Sequence, residues 1–96
     1  MGYKIDYHPL AEYDLIGIGD HLSQFYKSTL KNFMEDFEEK ISYLKDMPRM
    51  GTTYRSFRKL VISDYLVFYK VIEDEKRIRI YRIIHGTQDS EIQNIE

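Results

Sequence analysis

The sequence contains no cysteine, which excludes disulfide scaffolds, thiolate zinc sites and thiol catalysis together. Proline occurs twice and glycine five times in 96 residues. No linker, low-complexity tract or internal repeat breaks the chain. The longest apolar run, Tyr65-Leu66-Val67-Phe68-Tyr69, is far short of the roughly 20 residues a membrane helix needs. No apolar stretch follows Met1-Gly2-Tyr3-Lys4, so a signal peptide is not expected. There is no glycine-rich phosphate loop. His8, His21 and His85 are scattered without metal-ligand spacing, and no Ser, His and Asp group as a triad. The reading is of one domain over residues 1–96, soluble and cytoplasmic, with no membrane association, metal or cofactor.

What is present argues for an ordered globule with a thin core. Nine Tyr and five Phe bring large flat side chains that suit half-wet sheet surfaces. The net charge of −2 hides a division along the chain. Residues 1–48 hold five Lys against nine Asp and Glu, whereas residues 49–82 hold nine Lys and Arg against four acids. Local fields decide what a surface attracts, so the later segment is the candidate anion-facing surface.

Spacing supplies the elements. Tyr3-Lys4-Ile5-Asp6-Tyr7 alternates with period two, which predicts a half-buried strand. Pro9 then suits the first turn of a helix running to about Phe25, with Leu15, Ile18, Leu22 and Phe25 at helical steps. Gly17 and Gly19 weaken that helix by about 1 kcal/mol each against Ala. A second helix follows, with Leu30, Phe33, Met34, Phe37, Ile41 and Leu44 as one stripe. It stops near Asp46, because Pro48 disfavours helical geometry at Met47. Phe57 to Ile62 and Tyr65 to Ile72 read as strands around a Ser63-Asp64 turn, the second apolar enough to be central. After the charged loop Glu73-Asp74-Glu75-Lys76, Arg77 to Ile84 alternates, with Ile78, Ile80 and Ile84 on one face. Arg82 shares that face and needs a partner. The order β-α-α-β-β-β predicts an α+β fold, a two-helix hairpin on a small antiparallel sheet.

With these elements in place, Tyr7-His8-Pro9-Leu10-Ala11, Met47-Pro48-Arg49-Met50-Gly51, the segment Phe57 to Val71 and the segment Arg77 to Gly86 with acidic Asp89 together resemble the RelE/ParE superfamily. The resemblance spans essentially the whole chain. It implies the toxin of a type II toxin–antitoxin pair, with a small antitoxin as partner. Members similar to RelE cleave mRNA on the ribosome; members similar to ParE poison DNA gyrase without cutting. The leading expectation is mRNA cleavage, with gyrase inhibition or a non-toxic, antitoxin-binding remnant as alternatives.

RNA cleavage needs an acid or base, a phosphate clamp and a group for the leaving oxygen. The candidate catalytic residues are His85, Arg58 and Arg82, with Arg55 and Lys59 as substrate-binding cations, since histidine titrates near neutrality and arginine grips phosphate in a bidentate way. One sheet face is expected to gather them. Arg77 and Arg79, beside the acidic loop, read instead as cross-strand charge pairs. Two departures count against cutting. Leu66 stands where RNA-cutting relatives typically carry Arg, and Thr87-Gln88 stand where they often carry two basic residues.

Overall fold

The computed structural model describes residues 2–87; Gln88 and Asp89, quoted above, lie outside them. The elements in order are β1 (Lys4–Tyr7), α1 (Pro9–Leu22), α2 (Lys27–Leu44), β2 (Thr52–Tyr54), β3 (Phe57–Ile62), β4 (Tyr65–Ile72), a single 3-10 turn at Glu73–Glu75 and β5 (Arg77–His85). The α+β class, the helix hairpin and the bounds of β3 and β4 are those the spacing predicts. α1 ends earlier than expected, at Leu22, where Ser23 caps it through its backbone N–H to the carbonyl of Gly19. At the other end Pro9 occupies the first turn, and His8 Nδ1 accepts the N–H of Leu10 at 3.1 Å.

The sheet corrects two expectations. It has five strands, in the order β1-β5-β4-β3-β2, the extra one being the short β2 paired antiparallel to β3. It is also mixed rather than wholly antiparallel: β1 runs parallel to β5, with Lys4 opposite Arg77 and Tyr7 opposite Ile80. Residue alternation decides which side chains face the helices and carries no information on which strand lies beside which.

Both helices cover one sheet face. Phe33, Phe37, Ile41 and Leu44 from α2 and Ala11 and Ile18 from α1 pack on Leu60, Ile62, Tyr65, Val67, Tyr69, Ile78, Ile80 and Ile83. The other face carries a smaller cluster of Phe57, Phe68 and Ile84, flanked by Tyr54, Leu66 and Tyr81. β4 is therefore buried on both sides, and Val67, Phe68 and Tyr69 in succession are solvent-inaccessible.

A bulge resolves the Arg82 exception. The register of β4 with β5 slips between Phe68 and Tyr69: Phe68 opposes Arg82, and Tyr69 opposes Ile80. Tyr81 is the extra residue, and the alternation of β5 shifts phase there. Ile83, not Ile84, thus joins Ile78 and Ile80 under the helices, while Ile84 turns to the opposite face.

Candidate functional site

The sheet face away from the helices is where cations and rings meet. Lys59 and Arg82 both oppose Phe68, one from each neighbouring strand. They therefore sit on one rung with that ring between them, about 10 Å apart across two strand spacings. Lys70, two residues along β4, holds its ammonium 4.7 Å from the Phe57 ring centre and 5.4 Å from that of Tyr81. Arg55 and Lys59 approach the Tyr54 ring at 5.4 and 5.6 Å. Such contacts hold a cation against an apolar surface without neutralising it. Arg55 reaches this position from the β2–β3 turn, where its φ of 55° bends the chain back.

Much of the positive charge is already matched. Arg79 and Arg77 both bind the Asp6 carboxylate on β1, at 3.0 and 2.9 Å, and Arg77 also meets Glu75 at 3.1 Å. The cross-strand charge pairing expected of Arg77 and Arg79 is present, with Asp6 on β1 as the shared partner and Glu75 of the acidic loop as a second one for Arg77. The hydrogen bond from Arg79, with Arg77 adding to it, holds the Asp6 carboxyl below the usual carboxylate range. Arg82 forms a fork with Asp14 of α1, at 2.8 and 3.2 Å.

Arg58 points the other way. Opposite Tyr69 in the pairing with β4, it sends its guanidinium to the carbonyl oxygens of Gly51 at 2.7 Å and Arg49 at 3.3 Å. The Tyr69 hydroxyl donates to the carbonyl of Pro48 at 2.9 Å and accepts the N–H of Gly51 at 3.0 Å. Burial raises the Tyr69 hydroxyl above its ordinary pKa, so it stays protonated to donate. Together these bonds pin the loop from Pro48 to Gly51 against the sheet. Arg49, Arg55, Arg58 and Lys70 then line a shallow cavity of about 270 Å³ with Ser56 and Phe57.

His85 stands at the opposite end. It opposes Tyr65, four residues from Tyr69 along β4, which at about 3.3 Å per residue is roughly 13 Å from the Arg58 rung. Its ring meets Tyr65 edge-on at 5.2 Å, and its Nδ1 lies 2.8 Å from Thr87 Oγ1. It lines a cleft of about 430 Å³ with Tyr13, Asp14, Gly17, His21 and Ile83. The five candidates are thus not gathered at one point. Arg55 and Lys59 meet at the Tyr54 ring, and Arg55 also lines the cavity with Arg58. Arg82 is held by Asp14 at the edge of the His85 cleft, and His85 stands roughly 13 Å from the Arg58 rung.

Sequence reasoning missed Asp14, which organises Arg82 and whose contact 68 positions along the chain has no local signature. It also left out Arg49 and Lys70, although both belong to the basic segment. Among the described residues, no three His, Asp or Glu are grouped to hold a metal ion, and no helix is long and apolar enough to cross a membrane.

A mixed five-stranded sheet with a helix hairpin on one face and basic side chains on the other defines a small α+β fold. The chain belongs to the family of ParE toxins of type II toxin–antitoxin systems, whose model matches residues 5–90. Among solved structures it is similar to a chain of the chromosomal ParDE system of Pseudomonas aeruginosa, with a TM-score of 0.70 at 20% identity over 86% of this chain and 95% of that one. It is also similar to a chain of the RelBE2 toxin–antitoxin complex of Mycobacterium tuberculosis, with a TM-score of 0.61 at 18% identity over 88% of this chain and 99% of that one. A mutant Escherichia coli RelE toxin bound to an antitoxin peptide gives a TM-score of 0.63 at 14% identity over 100% of this chain and 96% of that one. No curated protein matches by sequence.

Proposed function

We propose that this toxin arrests growth by binding an essential protein, with DNA gyrase the first target to test, and that a small antitoxin holds it inactive. The observation that carries this reading is the separation of the candidate catalytic groups. A phosphoryl-transfer site needs its acid or base and its phosphate clamp within reach of one phosphate. Here His85 lies roughly 13 Å from the Arg58 rung along β4. The Arg58 guanidinium is engaged by two loop carbonyls, and Arg82 by Asp14. The match to ParE toxins supports the same reading. The antitoxin partner is supported by similarity to chains solved within toxin–antitoxin assemblies.

Ribosome-dependent mRNA cleavage is the second reading, favoured by the cavity that Arg49, Arg55, Arg58 and Lys70 line. Here His85, Arg58 and Arg82 would be catalytic, with Arg55 and Lys59 binding phosphate. Expression from a tightly controlled promoter separates the two. Binding to gyrase induces the DNA-damage response and blocks supercoiling by purified gyrase, with no new message ends on primer extension. Cuts at codon-defined positions would replace the binding reading with the nuclease. Unimpaired growth, with the protein made and folded, would leave only an antitoxin-binding remnant.

A further inference from the structure

The open sheet face changes character along β3. Lys59 opposes Phe68 and Val61 opposes Leu66, both members of the open-face cluster. The two β3 residues thus share that face, about 7 Å apart along the strand. Val61 is 55% exposed, and Leu66 in turn opposes Ile84, so an aliphatic rung crosses the sheet there. One rung away stands Lys59, and beyond it Lys70 rests on the Phe57 and Tyr81 rings. Among the described residues neither lysine pairs with a carboxylate; rings are their neighbours instead. The acids that reach this side, Asp6 and Asp14, are taken by Arg77, Arg79 and Arg82. Positive charge without a matching acid therefore lies directly beside exposed aliphatic surface.

We propose that this face docks an extended acidic segment of the target protein, one that carries Asp or Glu two residues from an aliphatic or aromatic side chain. The proposal rests on the protein-binding reading above and adds which surface binds and what chemistry it recognises. In an extended chain, residues two apart share a face at the same spacing of about 7 Å. An acid over Lys59 therefore sets its apolar neighbour over Val61 and Leu66. The rings beneath the ammonium groups hold them in place and displace water, which strengthens a carboxylate contact there. Charge complementarity of this kind fixes the sign of the partner. A nucleic acid fits less well. Bases stack on open ring faces, whereas Tyr81 is already stacked on His8 at 5.3 Å and Tyr54 carries Arg55 and Lys59. The net charge of −2 also works against a polyanion bound through many phosphates. A second copy of the chain is disfavoured too, because a twofold contact through this face sets its lysines against their own counterparts.

The test uses the full-length toxin and purified DNA gyrase, reading both binding and inhibition of supercoiling. The paired change Lys59→Glu and Lys70→Glu is expected to raise the concentration for half-inhibition at least tenfold, and Val61→Asp to weaken binding as much. The milder pair Lys59→Gln and Lys70→Gln is expected to weaken binding severalfold and flatten its dependence on salt. A control pair, Lys27→Glu and Lys31→Glu, makes the same change of charge at exposed positions of α2 and is expected to stay within twofold of wild type. Thermal melts establish that each variant is folded, and the glutamine pair carries the test if the glutamate pair is not. Inhibition within twofold of wild type by folded Lys59 and Lys70 variants overturns the proposal, as does an equal loss in the α2 pair. So does tight binding of a single-stranded oligonucleotide that the Lys59 and Lys70 changes abolish, which would make the ligand a nucleic acid. A wild-type toxin that neither binds nor inhibits gyrase overturns the gyrase reading itself, and this surface with it.

Discussion

Asp14 and Arg82 join α1 to the last strand: the two carboxylate oxygens accept from the Arg82 guanidinium at 2.8 and 3.2 Å, and one of them also accepts the backbone N–H of Ile83 at 2.9 Å. β1 accompanies β5 only as far as Ile80, so beyond that point the Asp14 side chain stands where a strand carbonyl would. Replacing Asp14 with Ala leaves Arg82 without this partner and the Ile83 N–H unsatisfied. The expected cost is about 2–4 kcal/mol, with Asp14→Asn costing less because an amide oxygen still accepts the N–H. Urea denaturation of the two variants gives the difference; equal stabilities would refute the role assigned to the Ile83 contact.

Asp6 makes stability depend on pH in a defined direction. Its carboxyl is held below the ordinary range, chiefly by the Arg79 hydrogen bond with Arg77 adding to it. In acid the unfolded chain therefore binds this proton first, so stability rises with pH across that region. The contribution is complete above the unfolded carboxylate value of about 3.9 and is lost as pH falls through the lower folded value. Asp6→Asn is expected to cost about 0.5–1 kcal/mol at neutral pH, where the pair is partly exposed, and nothing at strongly acid pH. Paired denaturation curves across that range check it, and a gap that persists in acid would contradict the assignment.

Tyr69 and Gly51 hold the loop that carries Arg49. Tyr69→Phe removes the acceptor for the buried Gly51 N–H, at an expected cost of about 1–3 kcal/mol, and speeds hydrogen exchange at Gly51. Gly51→Ala goes further, because its Cβ would lie 2.8 Å from the backbone oxygen of Lys59. A strand oxygen cannot swing aside as a side-chain tip can, so this variant is expected to melt lower than Tyr69→Phe.

Gly17 offers the opposite case. With open space at its Cβ, Gly17→Ala is expected to stabilise the protein by about 0.5–1 kcal/mol. A higher melting temperature in a thermal scan checks this. A lower one would show that the backbone there needs the glycine for the fold itself.

His85 discriminates between the two mechanisms. Under the binding reading, His85→Ala leaves growth arrest in place, because no proton is transferred. Under cleavage, arrest and message cuts fall together. A plating assay after induction, with expression levels matched, separates these outcomes.

The elements were legible because each carries its own period. β3 and β4 fall where the Ser63-Asp64 turn and the apolar run from Tyr65 to Ile72 set them, and α2 follows its stripe from Leu30 to Leu44. The pairing of β1 beside β5 was not legible, since Asp6 meets Arg79 across 73 positions of chain. Nor was the bulge at Tyr81, which is a property of two strands together. That one residue changes the reading of the site. Counted by simple alternation, Arg82 shares a face with Ile78 and Ile80, whereas the slipped register sets it on a rung with Phe68 and Lys59. The basic segment from Arg49 to Arg82 was visible as charge, but its division between Asp6, Asp14, the loop carbonyls and the aromatic rings depends on contacts the linear order does not show.

The position of β5 also governs when the molecule can exist. It lies between β1 and β4, so among the described strands the first one made has no neighbour until β5 has been made. A nascent chain holds a helix pair and a three-strand meander but no joined sheet, and non-local pairing of this kind closes slowly. Assembly of the whole sheet therefore waits on β5, and until it pairs, β1 and the free edge of β4 stay open to other strands.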